Sequence, residues 1–137
     1  MNNVIELTQP GWTRICEVTQ IFPNTGVCSL LGRDQVAVFR LGDADRVYAL
    51  GNLDPFSGAS VLSRGIVGDR GGTPKVASPV YKQSFCLRTG VCLDDPSVSV
   101  PVYEARVRAG IIEIRATAAR TLRSGNTEML GVESARG

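Results

Sequence analysis

Short apolar runs separated by turn residues set the pattern of this chain. Residues 12–15, 27–31, 35–41 and 46–50 are rich in β-branched and aromatic side chains, the composition of half-buried strands. Between the runs stand Pro10-Gly11, Pro23-Asn24, Gly32-Arg33-Asp34, Gly42-Asp43-Ala44-Asp45, Gly51-Asn52, Gly71-Gly72 and Asp94-Asp95-Pro96, all turn signals. The runs 35–41 and 46–50 predict a hairpin across the turn at 42–45. A second hairpin is predicted from 102–108 and 111–115, joined at Ala109-Gly110. In its second strand Ile112 and Ile114 alternate with Glu113 and Arg115, as a sheet with one solvated face requires. Helical periodicity is confined to residues 17–22, where Pro23 stops it. Many short strands and almost no helix predict an all-β, antiparallel sandwich. Residues 1–116 are predicted to form one domain. The polar stretch 117–137 is predicted to be a mobile C-terminal tail, in which the Met129-Leu130 pair is a candidate for ordering on a partner.

Composition narrows the function classes. The 137 residues carry a net charge of +2, with 43% hydrophobic and 20% charged residues. A domain of this length builds a sufficient core without disulfides or metal. The arginines at 33, 40, 46, 64, 70 and 88 are scattered, so no nucleic-acid footprint is expected. No run approaches the roughly 20 apolar residues of a membrane span, and the first ten residues lack a signal-peptide pattern. A cytoplasmic location and reduced cysteines are expected.

The chain has four cysteines and no histidine. Cys16, Cys28, Cys86 and Cys92 contain no C-x-x-C pair, so a four-cysteine metal site is not supported. Cys16 and Cys28 lie in apolar runs and are expected to be structural thiols. Cys86 and Cys92 flank the Thr89-Gly90 turn and could face each other. Ser-His and Cys-His catalysis is impossible here. Asp94-Asp95 precedes Pro96 and is explained by a turn. The glycines at 65, 68, 71 and 72 form no phosphate-binding pattern.

Two loops carry the most specific signal. The first reads Asp54-Pro55-Phe56-Ser57-Gly58-Ala59. The second is Ser78-Pro79-Val80-Tyr81-Lys82-Gln83, followed by Phe85-Cys86-Leu87-Arg88-Thr89-Gly90. They resemble the ligand loops of a Rieske [2Fe–2S] domain, which read C-x-H and C-x-x-H. Such a cluster takes two cysteines on one iron and two histidines on the other. Here the four degenerate ligand positions are Asp54, Phe56, Ser78 and Tyr81. With the surrounding framework, from Trp12 to Ala116, the chain resembles the small subunit of assimilatory NAD(P)H-dependent nitrite reductase, a Rieske-like branch without the cluster ligands.

The resemblance implies a Rieske-like β-sandwich with an inserted two-loop subdomain that lacks the cluster. It implies a non-catalytic subunit with no cofactor of its own, supporting a large catalytic subunit that carries FAD, a [4Fe–4S] cluster and siroheme and reduces nitrite to ammonium. From the residues themselves, Phe56 and Tyr81 are expected to pack together where a cluster would sit. Asp54 and Ser78 are expected to bond loop amides. The expected docking surface is Asp54, Pro55, Phe56, Arg64, Ser78, Pro79, Tyr81, Lys82 and Gln83. The alternative is an electron-transfer protein holding an unorthodox cluster through Cys86, Cys92, Asp54 or other residues.

Overall fold

The computed structural model describes residues 11–42 and 45–115; the expected tail at 117–137 lies outside them. The described residues form ten strands and two 3-10 turns. β1 (Trp12–Glu17), β9 (Ala105–Arg108) and β10 (Ile111–Arg115) form a sheet in the order β1-β10-β9. β2 (Thr25–Leu31), β3 (Asp34–Leu41), β4 (Arg46–Gly51) and β8 (Val102–Tyr103) form a second sheet in that order. A third sheet is β5 (Ile66–Arg70), β6 (Thr73–Ala77) and β7 (Ser84–Cys86). All pairings are antiparallel.

β3 holds the three sheets together. Its residues Val36, Ala37, Val38 and Phe39 are all fully buried, because successive side chains point to opposite faces and both faces are covered. Val36 and Val38 join Ala49, Tyr103, Ile112 and Ile114 in a core under the first sheet. Ala37 and Phe39 join Leu50, Leu62, Val76, Phe85 and Leu87 in a second core under the loops. One strand thus fixes the loop subdomain against the main sandwich.

The outer face of the first sheet is polar. The register places Trp12 opposite Arg115, Arg14 opposite Glu113, and Glu113 opposite Arg106. The guanidinium carbons of Arg106 and Arg115 lie 3.9 and 4.7 Å from the centre of the Trp12 ring. Each guanidinium also donates to a carboxylate, Arg106 Nε to Glu113 at 2.7 Å and Arg115 Nε to Glu104 at 2.7 Å. Cation–π contact and ion pairing together tie β1 to β9 and β10.

The hairpin expected around residues 42–45 is present as β3–β4, and the helical segment is the 3-10 turn Val18–Gln20. The long strand expected over residues 102–108 is not. Val102–Tyr103 pairs with β4, whereas Ala105–Arg108 pairs with β10. The chain changes sheet at Glu104, whose carbonyl accepts from Arg115 N at 2.9 Å. The Gly71-Gly72 turn joins β5 to β6, two strands that the sequence pattern did not predict.

Phe39 belongs to the core shared by β3 and the loops, so Phe39→Ala is expected to cost about 3–5 kcal/mol. Denaturant unfolding of the variant measures it.

Candidate partner-binding site

The two ligand-like loops have the same backbone frame. In the first, Asp54 N donates to Ala59 O at 2.8 Å and Gly58 N to Asp54 O at 2.8 Å. In the second, Ser78 N donates to Gln83 O at 2.9 Å and Lys82 N to Ser78 O at 3.0 Å. The side chain of each leading residue then caps the turn two residues on. Phe56 N donates to Asp54 Oδ1 at 2.8 Å, and Val80 N to Ser78 Oγ at 3.3 Å. Proline follows the leading residue in both, and the fifth position has positive φ, 77° at Gly58 and 68° at Lys82. Residues 86–91 repeat the frame: Cys86 N donates to Val91 O, Gly90 N to Cys86 O, and Gly90 has φ 77°.

The first two loops are joined at their leading residues. Ser78 Oγ donates to Asp54 Oδ2 at 2.6 Å, with both residues buried. Burial pushes the Asp54 carboxyl up, but the Ser78 hydroxyl, the Phe56 amide and the Ser57 donors outweigh it and hold its pKa below the ordinary value. A buried carboxylate needs such donors to remain charged. The base of the second loop has a further clamp. Asp94 accepts from Ser84 N at 2.7 Å and from Arg70 at 3.2 Å, contacts that lower its pKa, the Ser84 amide most.

The expected contact between Phe56 and Tyr81 is absent. Phe56 turns inward and packs on Phe85, with ring centroids 6.1 Å apart, while Tyr81 is 60% exposed. The core beneath the first loop offers Phe56 an aromatic neighbour, whereas the second loop carries its tip outward. Of the other expected contact residues, Pro55, Arg64, Pro79 and Lys82 are exposed. Asp54 and Ser78 are buried and therefore act within the protein. Gln83 is half-buried, and its buried Oε1 has no hydrogen-bond partner among the described residues. Arg64 stands just before β5, whose first residue Ile66 pairs with Ala77, next to Ser78.

Sequence reasoning missed Leu53, exposed at the foot of the first loop opposite Ser60, and Val80, exposed in the second loop beside Pro79 and Tyr81. No local signal marks either: Leu53 stands two residues before Pro55 and Val80 directly after Pro79. A cleft of about 410 Å³ opens beside the first loop, with Leu53, Pro55, Ser60, Pro101 and Tyr103 among its lining residues. Cys28 also departs from expectation. It is exposed on β2, its sulfur 3.6 Å from Asn52 Nδ2 and 3.7 Å from Gln35 Oε1. Cys16 is half-buried against the first core, and Cys86 and Cys92 are buried around the third loop.

The donor set does not fit a Rieske cluster. The chain contains no histidine, and the loop positions offer a carboxylate already bonded within the protein, an inward phenyl ring, a hydroxyl and an exposed phenol. Among the described residues no three or more His, Cys, Asp or Glu side chains gather where they could hold a metal ion.

Two outcomes are expected for the loops. Ser78→Ala removes a charge-assisted bond and should cost about 1.5–3 kcal/mol near neutral pH. Because the folded Asp54 pKa is lowered, its contribution is full above the ordinary carboxylate value, about 3.9, and is lost as pH falls through the lower folded value. Unfolding midpoints of wild type and Ser78→Ala should therefore converge as pH falls below about 3.9. Second, Gly58→Ala should cost about 1–2 kcal/mol through its left-handed backbone, while Lys82→Gly relieves the same strain and should not destabilise; thermal scans compare them.

The family model of the Rieske-like [2Fe–2S] domain matches residues 11–115. The nitrite reductase (NADH) small subunit of Escherichia coli strain K12 is 49% identical over 104 residues, 76% of this chain and 96% of that protein. The solution structure of the nitrite reductase [NAD(P)H] small subunit from Erwinia carotovora superposes with a TM-score of 0.69 at 43% identity, covering 89% of this chain and 93% of that one. The nitrite reductase [NAD(P)H] large subunit of Klebsiella oxytoca is 46% identical over 99 residues, 72% of this chain but 10% of that protein. The chain belongs to the Rieske-like [2Fe–2S] domain family and, within it, sides with the small subunits of nitrite reductase.

Proposed function

We propose that this chain is a non-catalytic, cluster-free small subunit of a cytoplasmic NAD(P)H nitrite reductase that serves nitrate assimilation. It binds a large subunit, which carries FAD, a [4Fe–4S] cluster and siroheme and converts nitrite to ammonium. The observation that carries this reading is the pair of intact loop frames without cluster-binding side chains. The loops keep their shape through Asp54 and Ser78, so what they offer a partner is a surface and not an electron.

That surface is centred on Leu53, Pro55, Pro79, Val80 and Tyr81, with Lys82 and Arg64 at its rim. Exposed aromatic and apolar groups suit the centre of an interface, and cations suit its edge. The cleft beside Leu53 and Pro55 is placed to receive a partner side chain. Phe56 and Gln83 support the surface from below, and Asp54 and Ser78 fix its two halves.

Co-purification with the large subunit tests the proposal. The wild-type chain should be colourless and iron-free and should form the complex. The double variant Val80→Asp/Tyr81→Ala should fold normally and bind at least about tenfold more weakly, as truncation of interface anchors does. An iron–sulfur chromophore in the isolated chain would support the electron-transfer alternative instead.

A further inference from the structure

We infer that the domain meets its large partner with both of its ends directed away from the contact, so that a separate chain or a segment tethered to the partner at either end can make the same contact. This rests on the docking surface proposed above. The ends of the described domain lie side by side, since Trp12 of β1 pairs with Arg115 of β10. That pair belongs to the first sheet, whose core contacts Val36 and Val38 on one face of β3. The docking loops lie across β3, over the core that contains Ala37 and Phe39. Packed layers stand roughly 10 Å apart. The first sheet and the loop layer are therefore separated by the whole thickness of the central sheet.

Joining the domain to a partner by either end would thus leave the loop surface free. The Klebsiella oxytoca large subunit carries a similar 99-residue segment within its own chain, a tenth of its length. A domain whose ends are neighbours tolerates being joined to another chain. The polar outer face of the first sheet, with exposed Arg14 and Arg108, would remain in solvent in both arrangements.

Photo-crosslinking of the full chain to the large subunit tests the orientation. A benzophenone amino acid replaces Tyr81, Arg14 or Arg108 in three separate variants. The expected result is a heterodimer band from position 81 and none from 14 or 108. Bands from 81 together with 14 or 108 would overturn the orientation while leaving the docking surface in place. Bands from 14 or 108 alone, or from none of the three, would overturn both. In parallel, a folded domain fused directly at Met1 should leave affinity for the large subunit within about twofold, and a tenfold loss would count against the inference.

Discussion

The hydrogen bond from Ser78 to Asp54 is the contact on which the loop subdomain depends. A buried carboxylate is costly unless its oxygens are fully engaged. Here one oxygen receives the Phe56 amide and the other receives the Ser78 hydroxyl. The first bond closes the first loop on itself, and the second fastens it to its counterpart. Loops 24 residues apart in sequence are thus joined by a direct protein hydrogen bond. Loop surfaces on rigid scaffolds are frequent binding sites.

Beneath the loops, β3 transmits that rigidity. Its alternating side chains enter two cores, so the loop subdomain cannot move as a unit without opening the sandwich. Phe56 and Phe85 extend the second core to the base of the loops. Arg70, Ser84 and Asp94 brace the other strands of that subdomain. The loops therefore combine a fixed base with an apolar tip at Val80 and Tyr81, and Leu53 is exposed at the foot of the first loop.

Much of this was legible in the chain itself. The β3–β4 hairpin followed from two β-rich runs around a glycine-led turn, and the alternation of Ile112 and Ile114 with charged residues gave β10 its buried face. The paired Asp-Pro and Ser-Pro loops were recognisable from order and spacing. β5 to β7 were not, because Gly68 and Pro74 interrupt the strand signal and β7 has only three residues. The crossing at Glu104 escaped notice because one continuous β-rich run serves two sheets. The directions taken by Phe56 and Tyr81 depend on which neighbour each finds in three dimensions, and Phe85 is brought to Phe56 only by the folded third sheet. The exposure of Leu53, Val80 and Cys28 is likewise a property of the surface and leaves no mark in local composition.

On the proposed function, protein hydrogen bonds fix the loops without metal and present them to a partner. Amide hydrogen exchange tests both halves in one measurement on the iron-free chain, alone and with the large subunit. The Phe56, Gly58 and Lys82 amides should already be protected in the isolated chain, and exchange around residues 53–58 and 79–82 should slow further in the complex. Unprotected loop amides that become ordered only when iron is added, or loop exchange that the large subunit leaves unchanged, would contradict it.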